Sequence, residues 1–302
     1  MAGAANLKPV FISRTITATD GLKLHARDYS PRVPHGLAVV CLPGLARTSA
    51  DFHPLAEALS GGGTHPRRVL ALDYRGRGLS EYDPNPANYA LHIELSDVLK
   101  VLATLDVTRA VFIGTSRGGI LTMLLASIAP AMIAGAVLND IGPVIEPAGL
   151  MRIKGYVGKL PQPESFDDGA AILRRLFGAQ FPNLTAEDWL ANARNTFKLE
   201  NGRLVPAYDV KLSTTLDAFD PEKPIPALWK EFDALKGVPV MVVRGANSDI
   251  LSPATVEAMR ARRDALEIVE IPDQGHAPLL AEADTIRRIA VFIEHCGNAP
   301  PR

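Results

Sequence analysis

The 302-residue chain has only two cysteines, Cys41 and Cys296. Two widely separated thiols in a chain of this length build no disulfide framework and favour a reducing compartment. Charge of either sign is not in excess: 32 basic residues against 33 acidic leave a net charge of -1, so nothing electrostatic argues for nucleic acid or an anionic membrane as partner. Zinc-ligand spacing, an H-E-x-x-H helix and a P-loop are all missing, and neither a metal nor an organic cofactor is expected. Residues 1–10 hold no apolar stretch that would serve as the core of an export signal, which makes the cytoplasm the expected location. Repeats and low-complexity tracts are absent, and residues 299–302 read as a frayed tail. One uncharged run, 120–138, has the length of a membrane span. Pro130 and Gly135 divide it into a helical piece, 117–129, and a strand-like piece, 133–138, both suited to a buried interior.

What is present points to a large folded core. Hydrophobic residues make up 47% and charged residues 22% of the chain, a balance that excludes intrinsic disorder of the body. A chain of this length buries roughly three quarters of the surface exposed when unfolded. Short apolar runs at 11–18, 22–28, 37–42, 69–72, 110–113 and 133–138 alternate with helical stretches at 51–60, 91–105 and 117–129. The first two flank Thr19-Asp20-Gly21, a hairpin signal. Later runs such as Ala38-Val39-Val40-Cys41-Leu42 are continuously apolar, as strands covered on both faces are. The pattern resumes with strands at 238–244 and 265–271 and helices at 253–263 and 282–296. Strand and helix alternating this way predict an α/β fold with a mostly parallel sheet. Between them, residues 143–237 carry many prolines, short helical pieces and no convincing strand. This stretch holds ten of the 18 aromatic residues, both tryptophans included, and reads as a helical cap inserted into a core formed by 1–142 and 238–302.

The chemistry gathers at predicted strand ends. Gly114-Thr115-Ser116-Arg117-Gly118 fits G-x-S-x-G where a strand meets a helix, the context in which that motif presents a nucleophilic serine. A serine hydroxyl needs a base within hydrogen-bond reach and a third group to orient that base. His276, in the loop after the last strand, is the candidate base. His53, at the start of a helix after the Pro43-Gly44 loop, is placed to line a pocket, and the other five histidines read as structural or solvated. Asp249, in the loop after the penultimate strand, is the first choice for the orienting carboxylate and gives the chain order Ser…Asp…His; Asp140, ending the preceding strand, is the alternative. Charge developing on a carbonyl oxygen needs two fixed N–H donors. The candidates are the backbone N–H groups of Leu45, after the strand 37–42, and Arg117, after the nucleophile.

Taken together, Leu42-Pro43-Gly44-Leu45, Asp73-Tyr74-Arg75-Gly76-Arg77-Gly78-Leu79-Ser80, the turn at Ser116, Asp249 and Gly275-His276 resemble the α/β-hydrolase fold family. The resemblance runs from Phe11 to about Cys296 and is to capped serine hydrolases such as carboxylesterases, enol-lactonases and carbon–carbon bond hydrolases. It implies an eight-stranded, mostly parallel sheet flanked by helices, with a cap over the site. The segment at 73–80 has a structural part in that pattern, and Leu-Pro-Gly-Leu stands where the family more usually has His-Gly. Serine at the turn separates the chain from the dehalogenase and epoxide-hydrolase branches, which use aspartate.

The expected activity is cleavage of a small-molecule carboxylic ester through an acyl-enzyme on Ser116. Lactone or carbon–carbon cleavage by the same residues, and a silent ligand-binding scaffold, are the alternatives. Trp189, Phe197, Trp229 and Phe232 are candidates for an apolar pocket wall, and Arg47 and Arg117 are candidates to hold a substrate carboxylate.

Overall fold

A computed structural model describes residues 10–61 and 65–298; the expectations for the first nine residues and for 299–302 lie outside it. Eight strands form one sheet: β1 (Ile12–Thr17), β2 (Lys23–Tyr29), β3 (Ala38–Leu42), β4 (Val69–Asp73), β5 (Ala110–Thr115), β6 (Ile133–Asn139) and, after a long intervening segment, β9 (Val240–Gly245) and β10 (Leu266–Ile271). Their order is β1-β2-β4-β3-β5-β6-β9-β10. The β1–β2 and β2–β4 pairs are antiparallel, and every pairing from β4 to β10 is parallel. Helices α1 (His53–Gly61), α2 (Leu91–Thr104) and α3 (Arg117–Ile128) connect the first block, and α8 (Pro253–Ala261) and α9 (Ala283–Asn298) the last.

The continuous apolar strands have a simple cause. Val40 and Leu42 of β3 join a core with Val98 of α2, Leu121 of α3 and Met259 of α8. Val39 and Cys41 join a separate core on the opposite face with Leu55 of α1 and Phe292 of α9. Successive side chains on a strand point to opposite faces, so covering both faces demands an apolar residue at every position. The uncharged run 120–138 resolves into α3 and β6 on either side of Pro130. Among the described residues no helix is long and apolar enough to cross a membrane.

Between β6 and β9 the chain forms α4 (Pro147–Tyr156), α5 (Phe166–Phe177), α6 (Ala186–Thr196), β7 (Phe197–Glu200), β8 (Arg203–Pro206) and α7 (Trp229–Asp233). Ser165 caps α5, and Thr185 with Asp188 forms a capping box on α6, supplying acceptors for N–H groups that the first turn leaves without partners. The hairpin β7–β8 corrects the expectation of a strand-free segment. It turns at Asn201-Gly202, both at positive φ, and Asn-Gly favours the turn whose twist matches paired strands. Leu173, Trp189, Phe197 and Leu204 bury one another here in a small core of their own.

Candidate active site

Four adjacent strands deliver the candidate side chains to one edge of the sheet: Ser116 follows β5, Asp140 follows β6, Asp249 lies beyond β9 and His276 lies beyond β10. Ligands bind at this carboxyl edge in open α/β sheets. Ser116 sits at φ 51° and ψ -113°, outside the conformations that L-residues ordinarily adopt. Its flanking glycines are required by close approach. A Cβ on Gly114 would lie 2.4 Å from the Gly118 carbonyl carbon, and one on Gly118 would lie 2.0 Å from the Leu42 carbonyl oxygen.

The His276 imidazole bridges two partners. Its Nε2 is 2.9 Å from Ser116 Oγ, and its Nδ1 is 2.8 Å from Asp140 Oδ2. An ionised carboxylate only accepts, so Nδ1 carries the proton toward Asp140 and Nε2 is left to accept from the serine hydroxyl. Asp140 is fully buried. The Gly245 N–H donates to its Oδ1 at 2.9 Å, and the Ser248 hydroxyl donates to its Oδ2 at 2.6 Å. These donors satisfy both carboxylate oxygens away from water and fix the direction of the group.

Asp249 does not reach the imidazole, which reverses the first choice made from chain order. Both its oxygens accept from Arg152 of α4, at 2.6 and 2.8 Å. Burial alone would raise the Asp249 carboxyl, but the guanidinium outweighs it and holds the group below the ordinary carboxylate range. The residues that sequence reasoning passed over are Gly245 and Ser248, which hold Asp140, and Asn139. The Asn139 amide donates to Thr115 Oγ1 and to the Pro278 carbonyl, both at 3.0 Å, and so ties the histidine loop to β5 and β6. A polar Asn-Asp pair closing an otherwise apolar strand was the available signal.

Ser116 and His276 open onto a cavity of about 330 Å³. Pro43 to Arg47 form one side, and Ile153, Val157, Leu173, Phe177, Phe181 and Trp189 supply apolar wall from the segment between β6 and β9. Trp189 lines the cavity. Trp229 does not: it lies edge-on to Phe232 and under the Arg262 guanidinium, 4.2 Å from the ring centroid. Phe197 and Phe232 are spent in the cores. His53 meets the Tyr29 hydroxyl at 2.9 Å and is likewise not part of the wall.

Arg47 borders the cavity, where it pairs with both oxygens of Asp51 and donates to Thr196 Oγ1 at 2.8 Å. The Arg117 side chain turns inward instead, donating to Glu94 and to the Tyr89 carbonyl. It is therefore not available to a substrate carboxylate. Gly44 packs against the nucleophile; a Cβ there would be 3.8 Å from Ser116 Cβ. Leu45 follows it along the cavity wall, and Arg117 is the first residue of α3, where the helix supplies no carbonyl for its N–H. Among the described residues no group of three His, Cys, Asp or Glu side chains is gathered as a metal site.

Residues 39–289 match the model of the Alpha/beta hydrolase family. The chain belongs to that family. It is 36% identical over 263 residues to the 3-hydroxybutyrate-oligomer hydrolase of Cupriavidus necator, covering 84% of this chain and 85% of that one. It is 28% identical over 253 residues to the 2-(acetamidomethylene)succinate hydrolase of Mesorhizobium japonicum, covering 83% and 86%. A crystal structure of an alpha/beta hydrolase from Novosphingobium aromaticivorans superposes with a TM-score of 0.87 at 40% identity, over 97% of this chain and 99% of that one. Hydrolysis is the class of activity that the family and these relatives support.

Proposed function

We propose that this alpha/beta hydrolase is a carboxylesterase-like serine hydrolase, with Ser116 as nucleophile, His276 as base and Asp140 as the orienting acid. One observation carries the reading: the unbroken run of hydrogen bonds from the Ser116 hydroxyl through the imidazole to the Asp140 carboxylate. Nε2 of His276 takes the hydroxyl proton as Oγ attacks the ester carbonyl. The C–O bond to the alcohol breaks, and the leaving oxygen takes that proton from Nε2. Water then gives a proton to Nε2, attacks the acyl-enzyme and releases the carboxylic acid, while Ser116 recovers its proton. The N–H groups of Leu45 and Arg117 hold the negative oxygen formed in each half-reaction.

The apolar walls favour an ester with a hydrophobic acyl group. The 36% identity to a 3-hydroxybutyrate-oligomer hydrolase supports esters of hydroxy acids among the substrates. Residues 143–237 act as a cap over this cavity, the core being 1–142 and 238–302, and the reaction takes place in the cytoplasm without metal or organic cofactor. Hydrolysis of p-nitrophenyl butyrate tests the reading: wild type turns it over, and Ser116→Ala abolishes turnover while still folding. Undiminished turnover by Ser116→Ala, or no turnover of any activated ester by wild type, overturns it.

A further inference from the structure

The loop that carries Leu45 is held from beneath by side chains that take no part in the proton relay. The Arg77 Nε donates to the Leu45 carbonyl at 2.8 Å, and the Tyr74 hydroxyl donates to the Pro43 carbonyl at 3.2 Å. Those carbonyls belong to the peptide units on either side of the Gly44–Leu45 unit, whose N–H is the donor in question. Fixing both neighbours leaves that unit little freedom to rotate, because each residue has only two soft dihedrals.

The same cluster reaches the second donor. Glu94 of α2 is fully buried; its Oε1 lies 2.7 Å from Arg77 Nη1, and its Oε2 accepts from Arg117 Nε at 2.6 Å. The Arg117 Nη2 donates to the Tyr89 carbonyl at 2.9 Å. One carboxylate between two guanidiniums therefore joins the loop after β3 to the first turn of α3. Burying three charges is costly, and a buried ion pair is a weak device for stability alone. Arg77 nonetheless spends its Nε on a loop carbonyl while its Nη2 has no hydrogen-bond partner among the described residues.

We propose that Arg77, Glu94 and Tyr74 are positioning residues that set the distance between the Leu45 and Arg117 N–H groups, an inference that rests on the serine-hydrolase reading above. None of the three lines the cavity. They act by holding two donors where the oxyanion forms, and such preorganisation is felt in the transition state rather than in ester binding.

The test compares Arg77→Lys, which keeps the charge but shortens the reach to Leu45, with Tyr74→Phe, which removes one hydroxyl and threatens folding least. Ser116→Ala is the control, and the readouts are kcat, KM, melting temperature and affinity for 1-butaneboronic acid, whose tetrahedral adduct mimics the oxyanion. In Arg77→Lys, kcat should fall about 10- to 100-fold, the scale of a small misplacement of catalytic groups, with KM changed less than about threefold. Boronate affinity should fall in parallel, and the pH profile of kcat should keep its shape because the His276–Asp140 bond is intact. Tyr74→Phe should show the same pattern to a smaller degree, and it decides the matter if Arg77→Lys does not fold. Wild-type kcat and boronate affinity in the folded variants, or equal losses in kcat and ester binding, overturn the inference. If Ser116→Ala is inactive while those variants behave as wild type, only this inference fails; an active Ser116→Ala defeats the hydrolase reading itself.

Discussion

Arg152 and Asp249 are locked to each other by two hydrogen bonds, at 2.6 and 2.8 Å, which join α4 to the loop after β9. Both carboxylate oxygens face the guanidinium, so this aspartate cannot also orient the imidazole 2.8 Å from Asp140. The pair is partly exposed, with side chains 25% and 29% accessible, and an ion pair in that setting contributes about 1 kcal/mol or less.

Asp140→Asn should lower kcat by about 10⁴, the effect of presenting the base in the wrong tautomer. Asp249→Asn should leave kcat within about threefold, since it alters a brace rather than the relay. Steady-state hydrolysis of p-nitrophenyl butyrate by the two variants checks both. The opposite ranking would return the orienting role to Asp249.

The two tryptophans should separate in the same assay. Trp189→Ala removes cavity wall, and its effect on kcat/KM should depend on acyl length, longer esters losing less than short ones as the space enlarges. Trp229→Ala works outside the cavity, on Phe232 and Arg262, and should alter all esters alike. A length-dependent change in Trp229→Ala would contradict this placement.

What could be read from the sequence, and what could not, has a physical boundary. The inner strands of the sheet were legible because strands buried on both faces are apolar nearly throughout, as β3 is, and β1 and β2 were legible from the Asp20-Gly21 turn between them. Ser116 was legible because a serine between two glycines at a strand-to-helix junction has few other uses. The acid was not. β6 and β9 are neighbours in the sheet, so the loops after both border His276, and only Arg152, from a helix about a hundred positions upstream of Asp249, shows which carboxylate is already taken. The hairpin after α6 carried an Asn-Gly turn signal, but its four-residue strands are too short for alternation to stand out. Trp229 illustrates the same limit: an aromatic residue announces burial without saying in which core.

Acid stability should depend on Asp28. Burial alone would raise its carboxyl, but hydrogen bonds from Arg68, Ser30 and Arg14 outweigh that and hold it below the ordinary range. A carboxyl depressed in the folded state stabilises the fold above its unfolded value, about 3.9, and loses that contribution as pH falls through the folded value. Asp28→Asn should therefore cost roughly 1–3 kcal/mol at pH 7, the scale of hydrogen bonds lost to a buried charged group, and the deficit should shrink below about pH 4. Urea unfolding of both proteins at pH 7 and pH 3 measures it. An equal deficit at both values would mean that packing, not charge, accounts for the loss.

The two thiols should be silent until the fold opens. Cys41 lies in β3 and Cys296 in α9, both fully buried. Cys296 packs where a Cβ on Gly135 would come within 2.3 Å of its Sγ, which leaves no path for a reagent between α9 and β6. Burial pushes the Cys41 thiol far up and the Cys296 thiol up to about 12, so neither supplies the thiolate that reacts with disulfide reagents at pH 8. Native protein mixed with Ellman's reagent should release almost no chromophore over minutes, and protein in guanidinium should release two equivalents. Slow labelling of the native state would then report opening of the fold, since a buried amide or thiol is reached only through such excursions. Prompt labelling of either cysteine would place it at a surface, against the packing of β3 and α9.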